Sequence, residues 1–203
     1  MLWFGWFGFN GGSSFGANAL AANGFITTQI AAAVAGTVWA LMEHMRHGKA
    51  TTLGFASGAV AGLVAITPAA GFVGFGAAMA IGAAAGVICF LALQLKFMLN
   101  FDDALDVIAV HLVGGILGSL MIGLFAESEI NGATKDGLFF GGGVEQLWRQ
   151  AAAVGIAIAY SFVVTYILGR ILDVVIGLRV DEQDERRGLD LSLHEEQSYV
   201  LAE

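Results

Sequence analysis

Charge is scarce in this sequence. Only 13% of its 203 residues are Asp, Glu, Lys or Arg, against about 25% in an ordinary soluble domain. With 57% hydrophobic residues and a mean hydropathy of +0.76, the chain reads as a polytopic helical membrane protein. A single cysteine, Cys89, excludes an internal disulfide framework and reads as a small buried hydrophobe. There is no basic patch to bind nucleic acid. A basic n-region with a small-residue cleavage site is also missing, so no removable signal peptide is expected. Inside the apolar runs there is no ladder of Asp or Glu and no Arg series. That argues against a proton-relay pump, a voltage sensor or a carboxylate-ring cation channel. His44 and His47 have helix-face spacing but no third ligand nearby, so no metal site is expected and both read as solvated.

What the chain has instead is glycine, 29 residues against one proline, and long uncharged runs. Met1 to Asn10 is aromatic and too short to span, and reads as the end of a helix, a stub over 1–9 broken by Asn10-Gly11-Gly12-Ser13-Ser14. Five spans are expected near 15–43, 51–66, 72–98, 103–126 and 145–178. The second and third come from one uncharged stretch, Ala50 to Leu95, divided at Thr67-Pro68 and Gly71. At 51–66 the helix is short for a crossing, so one end is expected inside protein. Gly58-xxx-Gly62 and Gly82-xxx-Gly86 give both helices close-packing faces. Trp3, Trp39 and Trp148 read as interfacial anchors or packing groups. The last span is longer than a bilayer requires and must tilt, bend or project. Residues 1–178 thus form a membrane domain and 179–203 a charged tail, which holds −5 of the net −8. Placing that tail in the cytoplasm puts seven of the nine basic residues on its side, as the positive-inside rule requires.

The fourth span holds the one ionisable group inside an apolar run. Val107 to Ala126 is 20 residues long, with His111 its single titratable side chain. Asp102, Asp103 and Asp106 open the segment and suit a helix N-terminus. If the helix starts near Asp103, His111 lies roughly 12 Å along its axis, close to the bilayer midplane. An ionisable residue there marks a functional site by default. The other reading is a structural histidine bonded to a neighbouring helix. Gly114, Gly115, Gly118, Ser119 and Gly123 give the segment a small-residue face. A neutral imidazole in such surroundings can donate through one nitrogen and accept through the other, so it can guide a small uncharged hydride.

Four motifs, in order, carry a resemblance: WFGWFGFNGGSS, GAVAGLVAITPAAGFV, DDALDVIAVHLVGGILG and GLRVDEQDERRGLDLSLHEEQSY. They resemble the ammonium transporter (Amt/Mep/Rh) family, from the end of its sixth helix to the C-terminus. The resemblance implies an all-α membrane fold, the second half of an inverted repeat of five helices each, in a homotrimer with a pore through each subunit. It implies a transporter, not an enzyme, without cofactor. His111 resembles the second of two paired pore histidines. Phe9 resembles a gating phenylalanine at the outer mouth, and Ser13 the hydroxyl of the outer recruitment site. Trp6, Thr67 and Val107 match positions near the pore. Asp103 and Asp106 match acids at the cytoplasmic start of the histidine helix, where simple capping accounts for them equally well. The first pore histidine and the remaining aromatic cage belong to the half outside this match. Gly188, Asp190, Ser192 and Tyr199 fall in a tail that, in the family, couples neighbouring subunits. PII-type signalling proteins dock on that cytoplasmic face in many members.

Three functions stay open at this stage. One is conduction of ammonium and ammonia across the cell membrane, by recruitment of NH4+, deprotonation and passage of NH3 past His111. Another is a non-conducting membrane subunit or remnant that retains only assembly or partner docking. The last is a channel for another neutral solute such as water, CO2 or urea, which the motifs demote.

Overall fold

The computed structural model describes residues 1–99 and 102–197, and every regular element among them is helical. These residues fall into two units, Met1–Gly155 and Ile156–Glu203.

The first unit is organised around α2 (Ala19–His47), preceded by α1 (Leu2–Gly12). Asn18 caps α2 by accepting the Ala21 N–H at 2.9 Å, and Gly48 ends it in a left-handed conformation at φ +76°. Ala31, Ala35 and Gly36 make a buried small-residue stripe on α2. Two further helices, α3 (Thr52–Ile66) and α4 (Phe75–Leu99), close on that stripe through their glycines. A Cβ added at Gly62 would meet the Ala31 carbonyl oxygen at 2.4 Å, and one at Gly82 would meet the same oxygen at 2.6 Å. Both glycine pairs therefore pack on α2, with backbones near enough that no other residue fits. Trp39 lies at the centre, edge-on to Phe90 with ring centroids 5.6 Å apart, so it is a packing group.

The turn between α3 and α4 is buried, which would strand its carbonyls in a medium without water. Two polar residues of α2 prevent that. The Asn23 amide donates to the carbonyls of Ala70 (2.9 Å) and Val73 (3.2 Å), and the Thr27 hydroxyl lies 3.0 Å from Ala70 O. From the other side, the Gly74 N–H donates to Glu127 at 2.9 Å, and the Glu127 N–H to Phe72 O at 2.9 Å.

The five apolar helices expected are present, with shifted ends. Four helical stretches are long and apolar enough to cross a membrane, Ala19–His47, Phe75–Leu99, Ile108–Phe125 and Glu145–Ile176. The 15 residues of α3 reach only ~22 Å at 1.5 Å each, short of a ~30 Å hydrocarbon core. The helical stub runs to Gly12 instead of stopping at 9, because Asn10 is held by its hydrogen bond to Thr28 (2.8 Å) and cannot act as a turn residue. At the other end of α2 the helix takes in Glu43, His44, Arg46 and His47, three of them bases placed where the helix dipole favours cations.

The largest correction concerns the His111 segment, which was expected to start near Asp103. Asp106 instead adopts a left-handed conformation (φ +57°), and the helix begins after it. A π-turn over Ile108–Leu112 leads into α5 (Val113–Phe125), with the Val113 N–H bonded back to Ile108 O. Asp103 stays outside the helix. Its carboxylate accepts the N–H groups of Val107 (3.0 Å) and Ile108 (2.8 Å) and so caps it. His111 therefore sits four residues past Val107, ~6 Å into the helix, about half the expected depth.

Beyond α5, the loop to Gly143 contains a short 3-10 turn, Leu138–Phe140. The Ser128 N–H donates to Asp136 at 2.7 Å, which holds that carboxyl below the usual carboxylate range. The final long helix, α6 (Glu145–Ile176), starts in this unit, where Gly123 of α5 lies so close to it that a Cβ would be 2.4 Å from Leu147 Cα.

The second unit comprises the remainder of α6 and two short helices, α7 (Glu182–Arg187) and α8 (Leu189–Leu193). Its part of α6 exposes apolar and aromatic side chains, among them Tyr160 and the stacked pair Phe162–Tyr166, as a lipid-facing helix does. Gly188, at φ +97°, joins α7 to α8.

Candidate functional site

Four of the six residues assigned to a pore from sequence meet at one place. The Trp6 indole N–H donates to the Thr67 hydroxyl at 2.7 Å, and that hydroxyl donates in turn to Leu63 O at 2.7 Å. Sequence separation gave no hint of this pairing, since the two stand 61 positions apart. It arises because the aromatic face of α1 packs beside the C-terminus of α3, where Thr67 precedes Pro68. Phe9 sits one turn from Trp6, with ring centroids 6.0 Å apart. Ser13, just past the end of α1, donates its hydroxyl to Phe9 O at 2.7 Å.

Phe9, Ser13 and Thr67 line a cavity of about 150 Å³, together with Asn10, Phe72 and Asn131. No ionisable side chain lines it. The Ser13 oxygen spends its one proton on Phe9 O and keeps lone pairs for a donor from outside. The Phe9 ring is largely exposed, and an aromatic face attracts a cation. A small cation with several N–H donors fits that chemistry. Sequence reasoning missed Asn131. It comes from the loop after α5, where polarity alone does not separate a lining residue from a solvated one.

His111 and Val107 do not join this cluster. His111 is exposed on the unit, as are Val107, Ile108 and Leu112 beside it. This replaces the expected buried ring. Its imidazole has no hydrogen bond or ion pair among the described residues. The neighbouring Val110 points the other way, into a cluster with Trp39, Ala61, Val64, Cys89 and Phe90 against which Trp6 also packs. The π-turn thus divides its residues between an anchored side and an open one.

Asp103 and Asp106, read alike from sequence, do different things. Asp103 caps the π-turn, as described. Asp106 forms an ion pair with Lys96, whose ammonium also donates to Asp103 O at 2.7 Å. Lys96 is only 8% exposed. It was counted from sequence merely as one of the basic residues; the signal was a lone lysine at the end of an apolar run, followed by three aspartates within ten residues.

In the tail, the Ser192 hydroxyl donates to Gly188 O at 3.0 Å, so Gly188 and Ser192 belong to one turn of α8. Asp190 O accepts the N–H groups of His194 (3.3 Å) and Glu196 (2.9 Å). Tyr199 lies outside the described residues. Among the described residues no cluster of His, Cys, Asp or Glu could hold a metal ion.

The sequence and the overall fold have clear counterparts among known proteins. A family model described as Ammonium Transporter Family matches residues 1–199. An ammonium transporter of Mycobacterium tuberculosis is 52% identical over the whole of this chain, which covers 43% of that relative. The ammonium transporter Amt1 of Archaeoglobus fulgidus is 48% identical, over 98% of this chain and 50% of its own length. The chain spans about half the length of the curated relatives it matches. The crystal structure of Saccharomyces cerevisiae Mep2 superposes with a TM-score of 0.84 at 38% identity, covering 90% of this chain and 42% of Mep2. A sensor Amt protein superposes with the same TM-score, 0.84, at 33% identity, covering 95% of this chain and 46% of that one. By its sequence pattern and by its helical architecture alike, the chain belongs to the ammonium transporter family.

Proposed function

We propose that this chain supplies one half of a membrane pore for ammonium and ammonia. The observation that carries the reading is the convergence of Phe9, Ser13 and Thr67 on one uncharged cavity, with Trp6 bonded to Thr67, on a unit whose His111 has no polar partner among the described residues. Ammonium is recruited at the outer mouth by the Ser13 oxygen and aromatic faces, and gives up a proton there. Ammonia then passes through an apolar path lined by His111 and Val107. A neutral imidazole serves that passage because it offers both a donor and an acceptor without repelling the arriving cation. The protein is placed in the cell membrane with residues 1–178 as the membrane domain. Residues 179–203 form a cytoplasmic tail, on the side that holds most of the bases. A homotrimer is the assembly expected for the complete pore. The turn built by Gly188, Asp190 and Ser192, with Tyr199 beyond it, is the surface for subunit coupling or a PII-type partner.

The open His111 face supports a further reading of the chain's behaviour by itself. A pore needs walls on all sides, and here Val107, His111 and Leu112 are uncovered on one. The chain alone is expected not to restore methylammonium uptake to transporter-null cells, whereas co-expression with a complementary half is. Saturable uptake by the isolated chain that His111→Ala abolishes would refute this incompleteness. Uptake in neither arrangement would favour the non-conducting subunit. Within the assembled pore, His111→Asp places a fixed anion where a neutral ring stood, so it should keep some flux but admit K+. His111→Leu should leave an apolar pore with altered or lost proton-coupled transport. Ammonium-evoked current in reconstituted membranes, with K+ as competitor, decides the matter. A His111→Asp pore indistinguishable from the parent in current and K+ exclusion would sink the role given to His111.

A further inference from the structure

We propose that Lys96 is a positioning residue: its ammonium fixes the π-turn on which His111 is presented. The inference rests on the pore reading only for its consequence in transport; the positioning itself stands on geometry. A lysine this buried is rare unless paired, and while its ammonium also lies 4.8 Å from the centre of the Phe97 ring, both of its hydrogen bonds lead to the segment just before His111. Its Nζ pairs with the Asp106 carboxylate and donates to the Asp103 carbonyl at 2.7 Å, so it ties both acids to the end of α4. Both tied residues act on the turn. The Asp103 carboxylate accepts the Val107 and Ile108 N–H groups, and Asp106 O accepts the Val110 N–H at 2.9 Å.

Asp106 shows why a tie is needed. It holds φ +57°, a left-handed conformation that aspartate tolerates better than most non-glycine residues but that still costs more than the ordinary helical region. Were Asp106 free to relax into the ordinary helical region, the helix could extend back towards Asp103 with α-type bonds. The π-turn carries one more residue than an α-turn over the same stretch. Losing it would rotate His111 by ~100° about the helix axis relative to α5, since 3.6 residues make a turn. The exposed ring and the buried Val110 would then no longer divide as they do. The cation on α4 thus chooses the register in which His111 faces outward.

The test uses the full chain in lipid nanodiscs with isotope-labelled histidine. Only four signals arise, from His44, His47, His111 and His194, and their Cα and carbonyl shifts report backbone conformation. Lys96→Met should shift the His111 signals and leave the other three in place, while Lys96→Arg, which keeps the cation, should leave all four near their parent positions. A buried carboxylate without its partner can unfold a protein. The double variant Lys96→Met with Asp106→Asn therefore removes both charges together, and should shift His111 alone. Unmoved His111 signals in both the single and double variants would overturn the proposal. So would movement of all four histidines in the double variant, or a Lys96→Arg chain that behaves like Lys96→Met. A second arm measures uptake by the assembled transporter, where Lys96→Met should lower the maximal rate several-fold and Lys96→Arg restore it. Shifted His111 signals with unchanged uptake would leave the positioning intact and count against the pore reading.

Discussion

Two faces of one helix behave in opposite ways. On one side of α5, Gly114 and Gly118 are buried against α3, and a Cβ at Gly118 would lie 1.9 Å from Ala65 O. On the other, a Cβ at Gly115 would meet nothing within 4 Å, and the open ring of His111 stands one turn earlier. The locked face has its polar atoms satisfied and its volume filled by small residues. The open face keeps an unpartnered imidazole among apolar side chains. Packing accounts for the small residues of the first, while nothing among the described residues covers the second.

The same substitution on the two faces gives the sharpest test. Gly118→Ala must push α3 and α5 apart and should cost about 2–3 kcal/mol. Gly115→Ala should be neutral or stabilise by up to ~1 kcal/mol, because alanine is the better helix former. Thermal unfolding of the two variants in the same detergent compares them directly, and equal losses would erase the distinction between the faces.

Next in size is Asn23→Ala, which takes the amide from the buried Ala70 and Val73 carbonyls and should cost about 1–3 kcal/mol. A loss below ~0.5 kcal/mol in chemical unfolding would mean that other donors satisfy that turn.

On the open face, His111→Ala should change stability by less than ~0.5 kcal/mol, since the ring makes no hydrogen bond or ion pair among the described residues. Its effect belongs to transport. A large loss in unfolding temperature would show that the ring packs after all.

The smallest effect is one of pH. The Ser128 N–H lowers the Asp136 carboxyl below its ordinary 3.8. A lowered carboxyl stabilises the fold above its unfolded value, and that contribution is lost only as pH falls through the still lower folded value. Amide exchange at Ser128, corrected for its intrinsic pH dependence, should therefore be flat from pH 8 to 5 and rise only in stronger acid. A change near neutrality would contradict the assignment.

Much of this was legible in the residues. Uncharged runs bounded by charges gave the helices, because a bilayer admits only segments whose backbone bonds close internally. The spacing Gly58-xxx-Gly62 and Gly82-xxx-Gly86 gave two packing faces, since i and i+4 share a side of a helix. His111 stood out because an ionisable group in an apolar run is costly. Which helix those glycines meet was decided in three dimensions, by the stripe of Ala31 and Ala35 on α2. Asn23 could not be matched to its carbonyls from sequence, because irregular backbone has no periodicity to read. The start of the His111 segment was misplaced for a related reason. Three aspartates mark a helix start but do not say which of them caps, and that choice fell to a lysine on another helix. Sequence pattern alone fixes which residues must leave water and which helices can approach closely, because those follow from composition and period. The direction in which His111 faces depends on side-chain contacts between different helices, among them Lys96 with Asp106 and Val110 with Trp39, and only the folded structure decides it.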